Sequence, residues 1–135
     1  MGQGTRDGAG GGLHYVSLGC LPKGRNQLAN EEVWKVIDDA LALREAAGEL
    51  TVHALVALPD ELLGIVGFHG GEPPRAAMAS FRSWVKARAG VRWQVEWVMS
   101  ELPGAETVAT LVECLREAPL RAGLARQAAD WEFQR

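Results

Sequence analysis

Residues 51–68 read TVHALVALPDELLGIVGF, and this stretch decides the fold more than any other part of the chain. Residues 51–58 and 62–68 are both dominated by aliphatic side chains, which is typical of strands that lie inside a sheet. Pro59 and Asp60 between them are turn residues. The stretch therefore predicts a β-hairpin with one face covered by helices.

Further elements lie on both sides of the predicted hairpin. Residues 13–19 (LHYVSLG) predict a strand, and residues 31–47 predict a helix that begins after the N-cap Asn30 and ends before Gly48. Residues 76–89 predict a second helix, residues 92–98 (RWQVEWV) a fourth strand, and residues 107–117 a third helix ended by Pro119. We expect residues 120–135 to be irregular and anchored by Trp131 and Phe133.

The order of these elements is strand, helix, strand, strand, helix, strand, helix. The first six follow the split βαβ, ferredoxin-like order. We therefore predict an α+β protein with an antiparallel sheet and helices mainly on one face, plus a third helix and a C-terminal tail. Many unrelated functions use this fold, so the fold alone does not indicate one.

Length and composition restrict the class of protein. The 135 residues fit a single domain, here 13–135, behind a Gly-rich leader, 1–12, which holds six of the 16 glycines. The leader lacks the apolar core of a signal peptide, and no apolar stretch is long enough to span a membrane. Cys20 and Cys114 have no metal or redox spacing, so we expect free thiols and a cytoplasmic protein. The net charge of −3 excludes a uniformly basic surface but not a local basic patch.

Three stretches together resemble one family, the REP-associated tyrosine transposases, which are single-strand DNA transposases of the HUH type. They are HALVALPDELLGI at 53–65, RWQ at 92–94 and CLREAPLRAGLARQAADWEF at 114–133. The last is the most specific, because Pro119, the run 121–124 (RAGL) and Asp130-Trp131 keep both order and spacing. The resemblance covers about residues 13–133.

The resemblance implies a chemistry whose residues are missing here. In the family, two histidines on one strand hold a divalent metal such as Mg²⁺ or Mn²⁺, and a helix tyrosine attacks the DNA phosphate. The matching positions are Glu61 and Leu63 for the histidines, Cys114 for the tyrosine and Ala118 for a polar metal-binding helper. We therefore expect no catalytic residue, no metal cofactor and no cleavage by the family mechanism. Residual cleavage through Glu61 and Cys114 is a minor alternative.

No other residues take over these roles in the sequence. The histidines His14, His53 and His69 share no ligand spacing and are interpreted as ordinary strand and loop residues. Tyr15 is the only tyrosine and lies far in sequence from the third helix, so the nucleophilic role is not assigned to it.

DNA binding is a separate question, because one segment is basic throughout. Between Pro73 and Arg92 there are five basic residues and no acidic one, and helical spacing places Arg75, Arg82 and Lys86 on one face. The predicted DNA-binding residues are Arg75, Arg82, Lys86, Arg88, Arg92, Trp93 and Arg121. Trp84, Trp93 and Trp97 lie in or near this segment and are able to stack on unpaired bases. The alternative is a solvated basic helix face with core tryptophans.

Two functions follow from these patterns. The first is a DNA-binding module that holds single-stranded or hairpin DNA without cutting it. The second is a protein–protein interaction or dimerisation domain, suggested by five tryptophans, with an interface at a sheet edge or around Trp34.

Overall fold

The computed structural model describes residues 12–135, so the predicted leader lies almost entirely outside the described residues. The elements in chain order are β1 (Leu13–Gly19), α1 (Glu31–Ala46), β2 (Leu50–Leu58), β3 (Glu61–Phe68), α2 (Pro74–Ala89), β4 (Val98–Glu101) and α3 (Ala105–Arg121), followed by a 3-10 turn (Ala128–Asp130). Within residues 12–135, no helix has the length and apolar character needed to cross a membrane.

The four strands form one antiparallel sheet in the order β2-β3-β1-β4. The β2–β3 hairpin turns at Pro59-Asp60, with Leu58 paired to Glu61. β1 runs beside β3 from Leu13, opposite Gly67, to Gly19, opposite Glu61. This order confirms the predicted ferredoxin-like arrangement, and it places β1 and β3 at the centre of the sheet.

Each face of the sheet has its own apolar core. On one face Val16, Leu18 and Phe68 pack under α1 and α2. On the other, Leu63 and Ile65 pack under α3. Successive strand residues point to opposite faces, so β1 and β3 contribute alternately to the two cores. Two of the three helices share one face, as predicted, and α3 covers the opposite one.

The ends of α1 confirm the sequence signals. The Asn30 side-chain oxygen accepts a hydrogen bond from the Val33 N–H at 3.0 Å, and Glu31 and Glu32 occupy the first turn. Gly48 follows the helix with φ +75°, a left-handed conformation that a residue with a side chain rarely adopts. The helix therefore begins and ends within one residue of its predicted bounds.

The predicted fourth strand at residues 92–98 is wrong in position. The strand is Val98–Glu101, and before it only Trp93 forms an isolated bridge, with Cys20. The alternation of residues 92–98 has another cause, because Trp93 and Trp97 pack against the core near α2 while Val95 is 91% exposed. The pattern arose from packing beneath a helix, not from pairing in the sheet.

The predicted end of α3 is also wrong. Pro119 lies inside the helix, which continues to Arg121. Proline lacks only its own N–H donor, so in the last turn it costs a single helical hydrogen bond. After the C-cap Ala122, the chain turns away at Gly123, with φ +74°, and the Leu124 N–H donates to the Pro119 carbonyl at 2.8 Å.

The tail completes the outer edge of the sheet. Leu55 and Arg135 exchange backbone hydrogen bonds of 2.9 and 2.8 Å, and the Ala57 N–H donates to the Phe133 carbonyl. The Trp131 indole N–H donates to the Ala57 carbonyl at 2.9 Å. The predicted anchors Trp131 and Phe133 therefore hold the tail, although it pairs with β2 and is more regular than expected.

Candidate nucleic-acid interface

A basic groove lies between α2 and the irregular segment 92–97. Arg82, Lys86, Arg92 and Trp93 line a cleft of about 490 Å³. The adjacent face of α2 carries the buried residues Met78, Phe81 and Val85. Burial of this apolar face fixes the rotation of the helix and leaves its basic face on the cleft.

A second cleft continues from the first along the end of β1. It has a volume of about 610 Å³ and shares Val95 with its neighbour. Its lining includes Arg75 and Trp97 together with Ser17, Glu61 and Glu96. We call the two clefts together the α2 groove; its main residues are Arg75, Arg82, Lys86, Arg92, Trp93, Val95 and Trp97.

Arginine and tryptophan side chains alternate along the groove. The Arg75 guanidinium lies 4.1 Å from the centroid of Trp97, and that of Arg82 lies 5.1 Å from Trp97 and 6.0 Å from Trp93. Arg82 also donates to the Gln94 carbonyl, and the Trp93 indole N–H donates to the Arg82 carbonyl at 3.0 Å. These contacts fix the irregular segment to α2 without any regular secondary structure.

Within the described chain, the cations of the groove form no direct salt bridges, although Glu61 and Glu96 line the second cleft together with Arg75. No acidic side chain of residues 12–135 forms a salt bridge with Arg75, Arg82, Lys86 or Arg92, whereas Lys35, Arg116, Arg121 and Arg135 are all paired. Burial and then the neighbouring Arg75 charge hold the pKa of Arg82 below its usual value. The groove therefore concentrates positive charge in a protein that is negative overall.

Sequence reasoning missed two residues of this surface. The side-chain oxygen of Gln94 and the ammonium of Lys23 both lie over Gly19; a Cβ there would be 2.0 Å from the first and 3.0 Å from the second. The contact depends on the close approach of segment 92–97 to β1, where the Gln94 N–H donates to the Gly19 carbonyl at 2.8 Å. The available sequence signals were the RWQ stretch at 92–94, which contains Gln94, and the basic character of loop 21–28, which contains Lys23 and Arg25.

Two predicted DNA-binding residues lie outside the groove. Arg88 stacks on Trp84, 3.2 Å from the ring centroid, and Arg44 of α1 contacts the same ring at 5.4 Å. Arg121 donates to the Cys114 carbonyl at 2.8 Å and lies 3.9 Å from the Glu117 carboxylate, on α3. The structure thus brings together Arg75, Arg82, Lys86, Arg92 and Trp93, but not Arg88 or Arg121.

The positions that match the family's catalytic residues lie on the α3 face. Leu63 and Ala118 are buried together in the apolar core beneath α3. Glu61 accepts a hydrogen bond from the Ser17 hydroxyl at 2.9 Å, and Cys114 is a half-buried free thiol. An aliphatic side chain occupies one of the two metal-ligand positions, so these residues do not fit a divalent metal held in the family manner.

Tyr15 lies closer to these positions than its place in the sequence suggests. It is half-buried against the core beneath α3. Burial raises the pKa of its phenol, the Ser17 hydroxyl opposes the rise, and the Glu61 and Cys114 charges add to it. Tyr15, Ser17, Glu61 and Cys114 therefore lie near one another, and their environment makes the phenol harder to ionise than a free tyrosine.

His14 and His69 make separate local contacts, while His53 and His69 both lie beside Gly67. His14 packs edge-on against Phe68, with ring centroids 5.4 Å apart, and the His69 ring lies 2.9 Å from the Thr51 hydroxyl. Over residues 12–135, no three histidine, cysteine or acidic side chains are grouped as a metal site would require.

The architecture is that of known transposase structures. A REP-associated tyrosine transposase, solved bound to a REP hairpin, superimposes with a TM-score of 0.82 at 16% identity, covering 99% of this chain and 82% of that one. A Deinococcus radiodurans R1 protein described as a transposase gives a TM-score of 0.54 at 16% identity, covering 84% of this chain and 94% of that one. No family model matches the sequence, and no curated protein is significantly similar to it.

These comparisons define the class: the chain has a transposase-like fold. The expected resemblance to the REP-associated tyrosine transposases is thereby confirmed at the level of the three-dimensional structure. At this identity the likeness concerns the fold, and activity has to be argued from the residues of the site.

Proposed function

We propose that this protein is a transposase-like domain that binds single-stranded or hairpin DNA through the α2 groove without cutting it. The observation that carries the proposal is the row of cations Arg75, Arg82, Lys86 and Arg92, which have no carboxylate partner among residues 12–135 and lie beside two tryptophans. Unneutralised cations attract phosphates, and aromatic rings accept unpaired bases. The fold neighbour that was solved with a REP hairpin supports DNA as the partner.

The absence of cutting is proposed from the α3 face. Leu63 supplies no ligand atom, and Ala118 supplies none either. The Cys114 thiol stands where the family has its tyrosine, without the metal ligands that would polarise a phosphate. Retained binding with lost cleavage is therefore the function that the two surfaces together support best.

Binding is expected to be one-sided. The acidic residues Glu31, Glu32, Asp38 and Asp39 of α1 do not line the groove and repel phosphate from the α1 side, although Glu32 lines a neighbouring cleft with Arg92. The two free cysteines fit a cytoplasmic location, which is part of the same proposal.

Fluorescence anisotropy with a labelled hairpin carrying a single-stranded extension tests the proposal. We expect binding at low salt whose affinity falls steeply as salt rises, both with and without Mg²⁺. The double variant Lys86→Glu/Arg92→Glu should weaken binding by about a hundredfold, because both side chains are exposed and reversal replaces attraction with repulsion. Arg116→Glu, on α3, is the matched control and should bind as the wild type does. Failure of the wild type to bind at low salt contradicts the proposal.

Self-association is the second candidate function, and a specific feature favours it. β4 pairs with β1 on one side, and no strand of residues 12–135 pairs with its other edge. An open edge strand is a template for pairing with a second copy. The alternative interface around Trp34 is less open, because Trp34 packs against Phe133 with ring centroids 6.3 Å apart. Light scattering that shows a dimer, together with no DNA binding, would favour this function over the first.

A further inference from the structure

The Trp97 ring has two arginines against it, and neither forms a salt bridge with Glu61 or Glu96, the carboxylates that line the same cleft. Arg75 and Arg82 contact the same indole at 4.1 and 5.1 Å, and neither has a salt-bridge partner among residues 12–135. Their mutual repulsion lowers the pKa of Arg82 in addition to the effect of burial. The arrangement therefore holds two like charges at one site, which favours the entry of a negative group.

The two arginines differ in how firmly they are held. Arg82 is half-buried, donates to the Gln94 carbonyl and also contacts Trp93. Arg75 is exposed, and within the described chain its guanidinium has no hydrogen-bond partner besides the face of Trp97. It also lies in the first turn of α2, which contains no acidic residue, so the helix dipole disfavours its charge there. Arg75 is the one of the pair that can leave the ring at low cost.

We propose that Trp97 is a stacking site for one unpaired base, and that the base displaces Arg75 from the indole. Arg75 then turns to the phosphate of the same nucleotide, which relieves its repulsion from Arg82. This inference rests on the proposed DNA binding and adds to it the element that distinguishes an unpaired nucleotide from a duplex, because a paired base has no free face to offer.

The geometry of the groove supports a single base at this point. Trp93 is held by its indole N–H to the Arg82 carbonyl and has no exposed arginine of the described chain against its ring, so no cation can be displaced from it as Arg75 can from Trp97. Trp84 lies between Arg44 and Arg88, outside the groove. Of the three tryptophans in or near the basic segment, Trp97 alone is covered by an exposed cation that lines the cleft.

Three DNA probes separate base stacking from phosphate attraction. The first is a blunt hairpin, the second carries a short single-stranded thymine extension, and the third carries the same extension without bases. We expect the wild type to bind the thymine extension about tenfold more tightly than the abasic one, since both offer the same phosphates. Trp97→Leu should abolish this difference while it leaves affinity for the blunt hairpin within about twofold.

The variant Arg75→Ala distinguishes base stacking on Trp97 from the phosphate contact proposed for Arg75. It should keep the preference for thymine over the abasic extension and reduce the salt dependence by about one phosphate contact. Arg88→Ala is the matched control, because it removes an exposed arginine that stacks on a tryptophan outside the groove, and it should change neither quantity. Thermal melting checks the fold, and Trp97→Phe, with a smaller ring, should retain part of the preference.

The outcomes distinguish this inference from the proposed function. Equal affinity of the wild type for the thymine and abasic extensions, with hairpin binding intact, overturns the stacking site alone. That comparison needs no variant, so it decides even if Trp97→Leu fails to fold. Failure of all three probes to bind overturns the proposed function together with this inference.

Discussion

The α2 groove and the α3 face differ in what occupies the positions that phosphate chemistry would use. In the groove, Arg75, Lys86 and Arg92 are exposed and without carboxylate partners among the described residues. Beneath α3, Leu63 and Ala118 are packed into an apolar core. Leu63 and Ala118 do not line the groove, whereas Glu61, a third position of the family's site, does. The apolar residues beneath α3 therefore leave the cations of the groove in place, and the two regions meet at Glu61.

The substitution Leu63→His, which puts a potential metal ligand at position 63, tests how tightly the core beneath α3 is packed. Leu63 is 9% exposed, so Leu63→His should cost about 2–4 kcal/mol of unfolding free energy, because it buries a polar ring without a partner and disturbs the packing. Chemical denaturation measures the loss. Glu61→His is the matched control at the other ligand position; it removes only the Ser17 hydrogen bond and should cost about 1 kcal/mol. Equal losses of unfolding free energy at positions 61 and 63 would show that Leu63 is not tightly packed.

The two cysteines differ in burial, so their reaction rates compare the accessibility of the groove side with that of α3. Cys20 is fully buried beside the groove, and burial raises its pKa to about 11, so it stays a thiol at pH 8. Cys114 on α3 is only half-buried. We expect Ellman's reagent at pH 8 to label one thiol at least about a hundredfold faster than the other, since only the accessible thiolate reacts. In Cys114→Ser the fast phase should disappear; if it persists, the assignment is reversed.

Single cation deletions compare residues inside and outside the groove. Lys86→Ala should weaken hairpin binding by about five- to tenfold at low salt and lower the salt slope by about one contact. Arg121→Ala, outside the groove, should change affinity by less than about twofold, because the side chain is tied to the Cys114 carbonyl and Glu117. Titrations by anisotropy at several salt concentrations give both numbers, and a larger effect from Arg121 would move the interface to α3.

The smallest effect is expected where the tail meets α1, away from both surfaces. Burial raises the pKa of Glu45, but the Val52 N–H and Arg135 outweigh it and hold the pKa below its usual 4.5. A lowered folded-state pKa stabilises the fold above the unfolded pKa, and this contribution is lost as the pH falls from about 4.5 through the folded value. Glu45→Gln should remove about 0.5–1 kcal/mol at pH 7 and flatten this acid dependence of the melting temperature. An unchanged acid profile would rule out the contribution.

The sequence predicted the elements whose signals are local. The N-cap Asn30, the stop at Gly48 and the Pro59-Asp60 turn each act within a few residues, and all three were confirmed. Residues 92–98 were assigned to a strand because an alternating pattern indicates which side chains are buried. It does not indicate whether a sheet or a helix buries them. The convergence of Tyr15 with Cys114, and of Lys23 with Gln94, depends on strand pairing and loop packing, which no local pattern encodes.

Gly19 has no side chain, and this leaves space for Gln94 at the end of β1. The Gln94 side-chain oxygen occupies the space where any other residue at position 19 would place its Cβ, 2.0 Å away. A single methyl group in Gly19→Ala would therefore force the flexible end of Gln94 away from β1, while the backbone hydrogen bond from the Gln94 N–H to the Gly19 carbonyl can remain. The smallest residue of the cleft wall thus determines where a polar side chain of the facing segment can lie.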